Sequence, residues 1–353
     1  MCDMSMMRNA KLFIAVVFAL TTTECYGLAI ERNDSVPGVN GSSKQNLPTS
    51  NVQVHFNETN GNNNTQYVTT ITFDIDFVQN TTATTIVNHR PVGDLPHCGC
   101  YCGIPVRKNR IVGGNETKIN QYPWIAAMYR KGKFYCSGAL ISRRHMLTAA
   151  HCVYGFNPQD LRLVFGEHDR TTPSESETIE RKIKIAKPHP RFDLFTFNND
   201  IAVVELEKPM PLGNHIRTAC LPDNAVYNYT GLMGIIAGWG RVQETKPTSN
   251  VLRQVSVPIM STESCRKLGY MGNRITDNML CAGFEKGEKD ACQGDSGGPM
   301  VIENKKGNLE IAGIVSWGRG CARPNYPGVY TKVVNYLSWI EQILGDQCLC
   351  QKP

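Results

Sequence analysis

Gly294-Asp295-Ser296-Gly297-Gly298-Pro299 decides the reading of this chain. A serine among residues with little or no side chain can stand exposed on a tight turn, with the N–H groups of Gly294 and Ser296 converging beside its hydroxyl. Preorganised donors at that point suit a nucleophile whose attack places negative charge on an acyl oxygen. A Gly/Ser run by itself marks only a loop, so the reading needs a base for the serine and a partner for the base. Leu147-Thr148-Ala149-Ala150-His151-Cys152 offers His151, and Asn198-Asn199-Asp200-Ile201-Ala202-Val203-Val204 offers Asp200 at the mouth of an apolar run. Taken singly, His151 reads as a core histidine and Asp200 as a solvated strand end. The chain order His, Asp, Ser, together with the glycine turn, joins them into one constellation.

From Ile111 to about Leu344 the chain resembles the chymotrypsin-like (trypsin-type) family of serine endopeptidases. The resemblance implies an all-β fold of two six-stranded antiparallel β-barrels, with the active site in the cleft between them and a C-terminal α-helix. It implies that His151 takes the proton of Ser296, that Asp200 orients His151, and that Gly294 and Ser296 form the oxyanion hole. The Ser316 hydroxyl matches a position that supports the aspartate. Asp290, six residues before the serine, falls at the base of the pocket for the side chain preceding the cut. Gly318 and Gly328 match the small wall positions of that pocket, beside Trp317, and Phe197 borders the neighbouring subsite. A buried carboxylate favours a cationic partner, so the expected cut follows Arg or Lys. Ala291 offers no hydroxyl to a lysine ammonium, which tilts the expectation toward Arg.

Arg110-Ile111-Val112-Gly113-Gly114 resembles the family's activation junction. Cleavage after Arg110 is expected to free the α-amino group of Ile111, which then buries against Asp295 and orders the pocket. That ammonium's contribution is present at lower pH and is lost as pH climbs through its raised pKa. Self-activation and a separate trypsin-like activator both remain open. The implied partners are a protein or peptide substrate with Arg or Lys before the cut, an activating protease and a protein protease inhibitor, around a monomeric enzyme that requires no cofactor. Two other classes stand beside this reading. One is a catalytically silent homologue acting as a binding cofactor in a protease cascade, which an altered triad residue would have favoured. The other is a structural glycoprotein whose Asn/Thr-rich segment is the working part.

The 353 residues carry a net charge of +6, mild for this length, so nucleic-acid binding has little compositional support. Arg8 and Lys11 precede the apolar run Leu12 to Leu20. That run is too short for a stable membrane anchor and suits an export signal over residues 1–27, which implies a secreted, extracellular protein with no membrane span. Residues 28–110 form an Asn/Thr-rich pro-segment, expected to be mostly disordered, with sequons at Asn33, Asn40, Asn57, Asn63 and Asn80. Within it, Ile71, Phe73, Ile75 and Phe77 alternate with polar residues as a strand does. Residues 111–353 are the peptidase domain with a Cys-containing tail, and they hold two further sequons at Asn115 and Asn228.

In the domain, short apolar runs at 138–141, 201–206, 234–237 and 311–315 lie between turn residues and read as strands. Arg181 to Lys187 reads as a half-buried strand with isoleucines on one face and lysines on the other. Val333, Val334, Leu337, Ile340, Ile343 and Leu344 recur at helical spacing. The chain has fourteen cysteines, and twelve remain once Cys2 and Cys25 leave with the signal. An even set in an exported chain implies disulfides. A zinc reading of Cys98-Gly99-Cys100-Tyr101-Cys102 is discounted because no suitably spaced histidines accompany it.

The resemblance carries over the bridges Cys136–Cys152, Cys265–Cys281 and Cys292–Cys321, and a tether from Cys220 to Cys102. Gly234 and Ile302 stand where pancreatic trypsins carry another bridge. Cys98 and Cys100 then face Cys348 and Cys350 for two more bridges, with their pairing open. Glu167 and Glu177, with the carbonyls of Asp169 and Thr172, match the spacing of a structural Ca²⁺ loop in trypsins. A solvated acidic loop is the favoured alternative, because Ser174 replaces a supporting acid.

Overall fold

Alternating apolar residues between tight turns make two closed sheets in this computed structural model. It describes residues 51–56, 67–72, 97–106, 115–172, 176–223, 228–287 and 289–353. The export signal, the Arg110–Ile111 junction and the sequons Asn33, Asn40, Asn57, Asn63 and Asn80 lie outside the described residues. Among the described residues no helix is long and apolar enough to cross a membrane. Residues 1–86 form a unit of their own. In it β1 (Asn51–Phe56) and β2 (Tyr67–Thr72) pair antiparallel, from Asn51↔Thr72 to Phe56↔Tyr67. The alternation read at 71–77 meets β2 only at its first two residues, and 73–77 lie outside the described residues.

In the second unit, residues 87–353, β3 (His97–Tyr101) and a two-residue strand β4 (Asn115–Glu116) precede the first barrel. That barrel is built from β5 (Ile125–Arg130), β6 (Lys133–Leu140), β7 (His145–Thr148), β8 (Leu161–Phe165), β9 (Ile179–Pro188) and β10 (Ala202–Leu206). They close in the order β10-β7-β6-β5-β8-β9. Leu161, Leu163 and Phe165 of β8 point inward at the period of a strand and are buried. Each such side chain contributes about 2 kcal/mol of hydrophobic stabilisation.

β9 departs from the expected alternation. Ile183 is buried, but Ile185 is 38 % exposed. The pairing with β10 shifts register between Glu205 and Leu206, so Ile183 faces Leu206 while Ile185 faces Glu205. A bulge of this kind turns the residues beyond it to the other face.

The second barrel comprises β11 (Met233–Gly238), β12 (Arg253–Met260), β13 (Met279–Ala282), β14 (Pro299–Glu303), β15 (Leu309–Trp317) and β16 (Gly328–Lys332). Its order is β11-β14-β15-β16-β13-β12, and the β11–β12 pairing closes the ring, with β4 added outside β12. The fold is therefore the expected pair of six-stranded barrels. A short helix α1 (Thr262–Arg266) is capped by the Ser261 side chain, which accepts from Ser264 N–H. The expected C-terminal helix starts as a 3-10 turn at Val333–Tyr336 and continues as α2 (Leu337–Leu344), burying Leu337, Ile340 and Leu344.

All twelve cysteines among the described residues are paired. Cys136–Cys152, Cys265–Cys281, Cys292–Cys321 and Cys102–Cys220 form as expected. Cys98 joins Cys348 and Cys100 joins Cys350. These two bridges fasten β3 to a parallel tail strand, β17 (Leu349–Gln351). Lys352, next along the tail, places Nζ 2.8 Å from Glu310 and 2.7 Å from Asp223. The register Ile235↔Val301 sets Gly234 opposite Ile302. A Cβ on Gly234 would meet the Met300 thioether at 2.5 Å, so side-chain packing fills the place of the missing bridge.

Candidate active site

His151 sits in a 3-10 turn (Ala150–Cys152) just after β7, and Asp200 sits just before β10. β7 and β10 pair from Ala202↔Thr148, which brings the two together. His151 Nδ1 lies 2.7 Å from Asp200 Oδ2, and the His151 N–H donates to Asp200 Oδ1 at 2.9 Å. An ionised carboxylate only accepts, so the ring proton belongs on Nδ1 and Nε2 keeps its lone pair. Asp200 has no solvent exposure, and its charge is met by these bonds and by the Ser316 hydroxyl, which donates to Oδ2. Its backbone carbonyl accepts from Thr331 Oγ1 at 2.6 Å. The preceding residue, Asn199, takes the left-handed conformation (φ +58°) and is held by Arg191 O and the Tyr336 hydroxyl.

Ser296 stands on the turn between Cys292 and Pro299. Asp295 N–H donates to Cys292 O, and Gly298 N–H donates to Asp295 O, both at 2.9 Å. The Ser296 carbonyl accepts from Ser137 N–H of β6 at 2.8 Å, while Gly297 N–H donates to Val315 O of β15 at 2.9 Å. The turn is thus fixed from both barrels. Gly294 has φ +103°, and a Cβ there would press on Gly240, Thr248 and Phe134 at 3.0–3.3 Å, so glycine is required. Among the described residues, neither Gly294 N–H nor Ser296 N–H has an acceptor within the protein. Both are available to an external oxygen.

Ser296 and His151 line one cavity of about 280 Å³ with Phe197, Asp290, Ala291, Gln293, Ser316, Trp317, Gly318 and Gly328. Among the described residues no hydrogen bond joins Ser296 Oγ to Nε2, which lies 3.6 Å from Cys152 Sγ. Such contacts are often loose without substrate and tighten when it binds. The Phe197 ring packs edge-on to His151, with centroids 5.6 Å apart.

Asp290 closes the cavity. Its Oδ2 accepts from Ala322 N–H at 3.3 Å, whereas Oδ1 is enclosed and has no partner among the described residues. Burial pushes this carboxyl up to about 7; the Ala322 and Ala291 N–H groups oppose the rise, and the Asp295 charge adds to it. A Cβ on Gly328 would come 2.6 Å from Oδ1, so the glycine keeps the carboxylate accessible.

Asp295 accepts from Gly240 N–H at 2.8 Å and Cys292 N–H at 2.9 Å. Burial pushes it up to about 6. It borders a second cavity, of about 250 Å³, which Asp290 also lines. Gly238 and Gly240 leave room for its carboxylate where any Cβ would collide.

The candidate calcium loop closes on itself. The Asp169 carboxylate accepts from the Thr171 N–H and from the Thr171 and Thr172 hydroxyls. Its carbonyl accepts from Thr172 N–H at 3.0 Å, and Glu167 Oε1 accepts from His168 N–H at 3.1 Å. Neither Glu167 nor Glu177 joins a cluster of three metal-binding side chains among the described residues. No step below passes through calcium. The group Cys136, His151 and Cys152 is close enough for a metal, but its two sulfurs are bonded to each other. Asn115 and Asn228 are both exposed.

Three contributors escaped the sequence reading. Ser137 and Thr331 hold Ser296 and Asp200 by bonds from distant strands and carry no local signature. Gln293 was findable, since it directly precedes Gly294 in the decisive turn.

A family model described as Trypsin matches residues 111–340. The proclotting enzyme of Tachypleus tridentatus is 40 % identical over 274 residues, covering 73 % of this chain and 73 % of that protein. The serine proteinase stubble of Drosophila melanogaster is 37 % identical over 252 residues, covering 68 % of this chain and 32 % of that protein. The serine protease filzig of the same organism is 38 % identical over 258 residues, covering 69 % of this chain and 15 % of that protein. The chain therefore spans about a third or less of the length of these last two relatives.

Proposed function

The chain belongs to the trypsin family of chymotrypsin-like serine proteases, and on that premise we propose that it is a secreted endopeptidase, made as a zymogen, that cuts after Arg in preference to Lys. The observation that carries the proposal is one cavity with Ser296 and His151 at its mouth and the unpartnered Oδ1 of Asp290 at its base.

In the proposed reaction a substrate arginine enters the cavity, and its guanidinium meets Asp290 with two N–H donors. Its carbonyl oxygen lies toward the N–H groups of Gly294 and Ser296. Ser296 Oγ bonds to the carbonyl carbon as His151 Nε2 takes its proton. Asp200, held by Ser316, stabilises the imidazolium. The tetrahedral intermediate collapses with proton transfer from His151 to the leaving amine, which breaks the peptide bond. Water then repeats the sequence on the acyl-enzyme and frees Ser296.

Activation is proposed to follow cleavage after Arg110. The new ammonium of Ile111 would enter the cavity beside Asp295, supplying the positive charge that this buried carboxyl lacks. The three bridges from Cys98, Cys100 and Cys102 would keep the cut pro-segment attached. The Arg110 side chain matches the proposed preference, so a first molecule can activate others.

The test is to cleave the chain after Arg110, label it with an organophosphonate, and profile cleavage on a peptide library. Labelling at Ser296, abolished by Ser296→Ala, together with cuts after Arg, supports the proposal. A cut chain that neither labels nor turns over any peptide refutes it.

A further inference from the structure

Two loops beside Asp290 are tied by one bidentate ion pair, and Glu244 and Ala322 line the cavity of about 250 Å³ that Asp290 borders with Asp295. Arg323 Nε lies 2.9 Å from Glu244 Oε2, and Nη2 lies 2.5 Å from Oε1. This fork-to-carboxylate geometry is the most directional ion pair side chains form. Arg323 directly follows Ala322, whose N–H donates to Asp290 Oδ2. Ala322 has φ +53°, the left-handed region that a residue with a Cβ occupies only under constraint. The Cys292–Cys321 bridge constrains it from one side. The Arg323 side chain constrains it from the other, lying where Gly320, which lines the cavity with Ser296, has no Cβ.

Glu244 is itself well supported. Arg241 Nη1 donates to the carbonyls of Glu244 and Lys246, at 3.3 and 2.9 Å. Arg241 N–H donates to Gln293 O at 2.9 Å, immediately before Gly294. The loop bearing Glu244 is therefore fastened beside the serine turn, and the ion pair transmits that fixed position to Ala322.

We infer that Glu244 and Arg323 are positioning residues, a clamp that holds Ala322 in its left-handed conformation with its N–H on Asp290 and so sets the cavity's affinity for a cationic side chain. Neither touches the reacting atoms. The inference rests on the reading of Asp290 as the base of the substrate pocket.

The experiment measures benzamidine binding by calorimetry on the full chain cut after Arg110. It compares wild type, Glu244→Gln, Arg323→Gln, the charge-swapped Glu244→Arg/Arg323→Glu, and Glu244→Gln in an Ala322→Gly background. Each single change is expected to weaken benzamidine roughly threefold to fivefold, the range for a well-formed surface pair. KM for arginyl peptides rises by the same factor while kcat stays put, and the melting temperature falls by no more than about 4 °C. The charge swap recovers affinity. In the Ala322→Gly background, where the left-handed conformation carries no strain, Glu244→Gln has no effect. Wild type that binds benzamidine while both single variants match it overturns the clamp alone. So does a loss that the charge swap leaves uncorrected. Wild type that binds no benzamidine overturns the Asp290 reading, and the clamp with it.

Discussion

Binding of a small amidinium to the Asp290 cavity should push a proton into the buffer at mildly acidic pH. Burial holds this carboxyl near 7 in place of its ordinary 3.8. At ~1.4 kcal/mol per pH unit, that rise corresponds to about 4 kcal/mol against the ionised form. The cause is burial of a carboxyl whose Oδ1 has no hydrogen-bond partner among the described residues. Benzamidine brings the missing donors and the opposite charge, so the bound carboxyl ionises. At pH 6 about nine in ten free molecules hold the proton, and at pH 8 about one in ten do. Binding therefore releases about 0.9 proton at pH 6 and about 0.1 at pH 8, and the dissociation constant rises about tenfold per pH unit below 7.

The assay is titration calorimetry on the chain cut after Arg110, in buffers of different ionisation enthalpy. A His151→Ala/Ser296→Ala background keeps the imidazole from contributing protons. A binding enthalpy that is the same in every buffer at pH 6, or a dissociation constant flat from pH 8 to 6, refutes the reasoning. The same group acts on stability with a definite sign. Its folded pKa lies above its unfolded one, so the folded chain holds a proton that the unfolded chain has lost between about pH 4 and 7. The contribution is fully present below the unfolded pKa and disappears as pH rises through 7. The melting temperature of the ligand-free protein should fall over that window, and benzamidine should restore it. Asp295, pushed up to about 6, acts in the same direction in the uncut chain.

Lys352→Met should leave Glu310, which has no solvent exposure, without its nearest cation. The expected loss is about 3 kcal/mol, read as a fall of about 6–12 °C in melting temperature, and Glu310→Gln in the same chain should recover most of it. Ser316→Ala removes the hydroxyl on Asp200 Oδ2. It should lower kcat on an arginyl peptide about tenfold, the scale of a hydrogen bond to a charge, with KM little changed. Ala291→Ser places a hydroxyl in the cavity wall, and paired chromogenic peptides should show kcat/KM for Lys rising relative to Arg; an unchanged ratio removes Ala291 from the account of preference.

What the sequence made legible follows the reach of each interaction. The Gly294–Pro299 turn is readable because glycine requirements and free N–H groups arise within six neighbouring residues. The strands at β6, β10, β11 and β15 are readable because apolar runs and turn residues alternate locally. The exposure of Ile185 was not legible, because the extra residue of β9, Lys184, is defined only by the register with β10 and leaves no local pattern. The disulfide framework was legible in number from the even cysteine count, while the pairing of Cys98 with Cys348 depends on β3 and β17 meeting in space. Glu310 and Lys352 gave no signal at all. Both look like surface residues until the tail strand carries Lys352 over the start of β15.

The site's rigidity comes from bonds of the long-range kind. Ser296 is oriented by a donor from the first barrel, Ser137, and by the Gly297 bond to Val315 in the second. Asp200 enters with the first barrel, yet the hydroxyls that hold it, from Ser316 and Thr331, belong to the second. Each barrel therefore supplies one member of the Ser–Asp pair and at least one bond that holds the other. A shift of one barrel against the other would take the Ser316 hydroxyl, one of three donors, from the buried Asp200 carboxylate. Leaving such a group unsatisfied costs about 1–3 kcal/mol, and more when it is charged. The two closed sheets are thus fastened to each other across the site by polar contacts of their own.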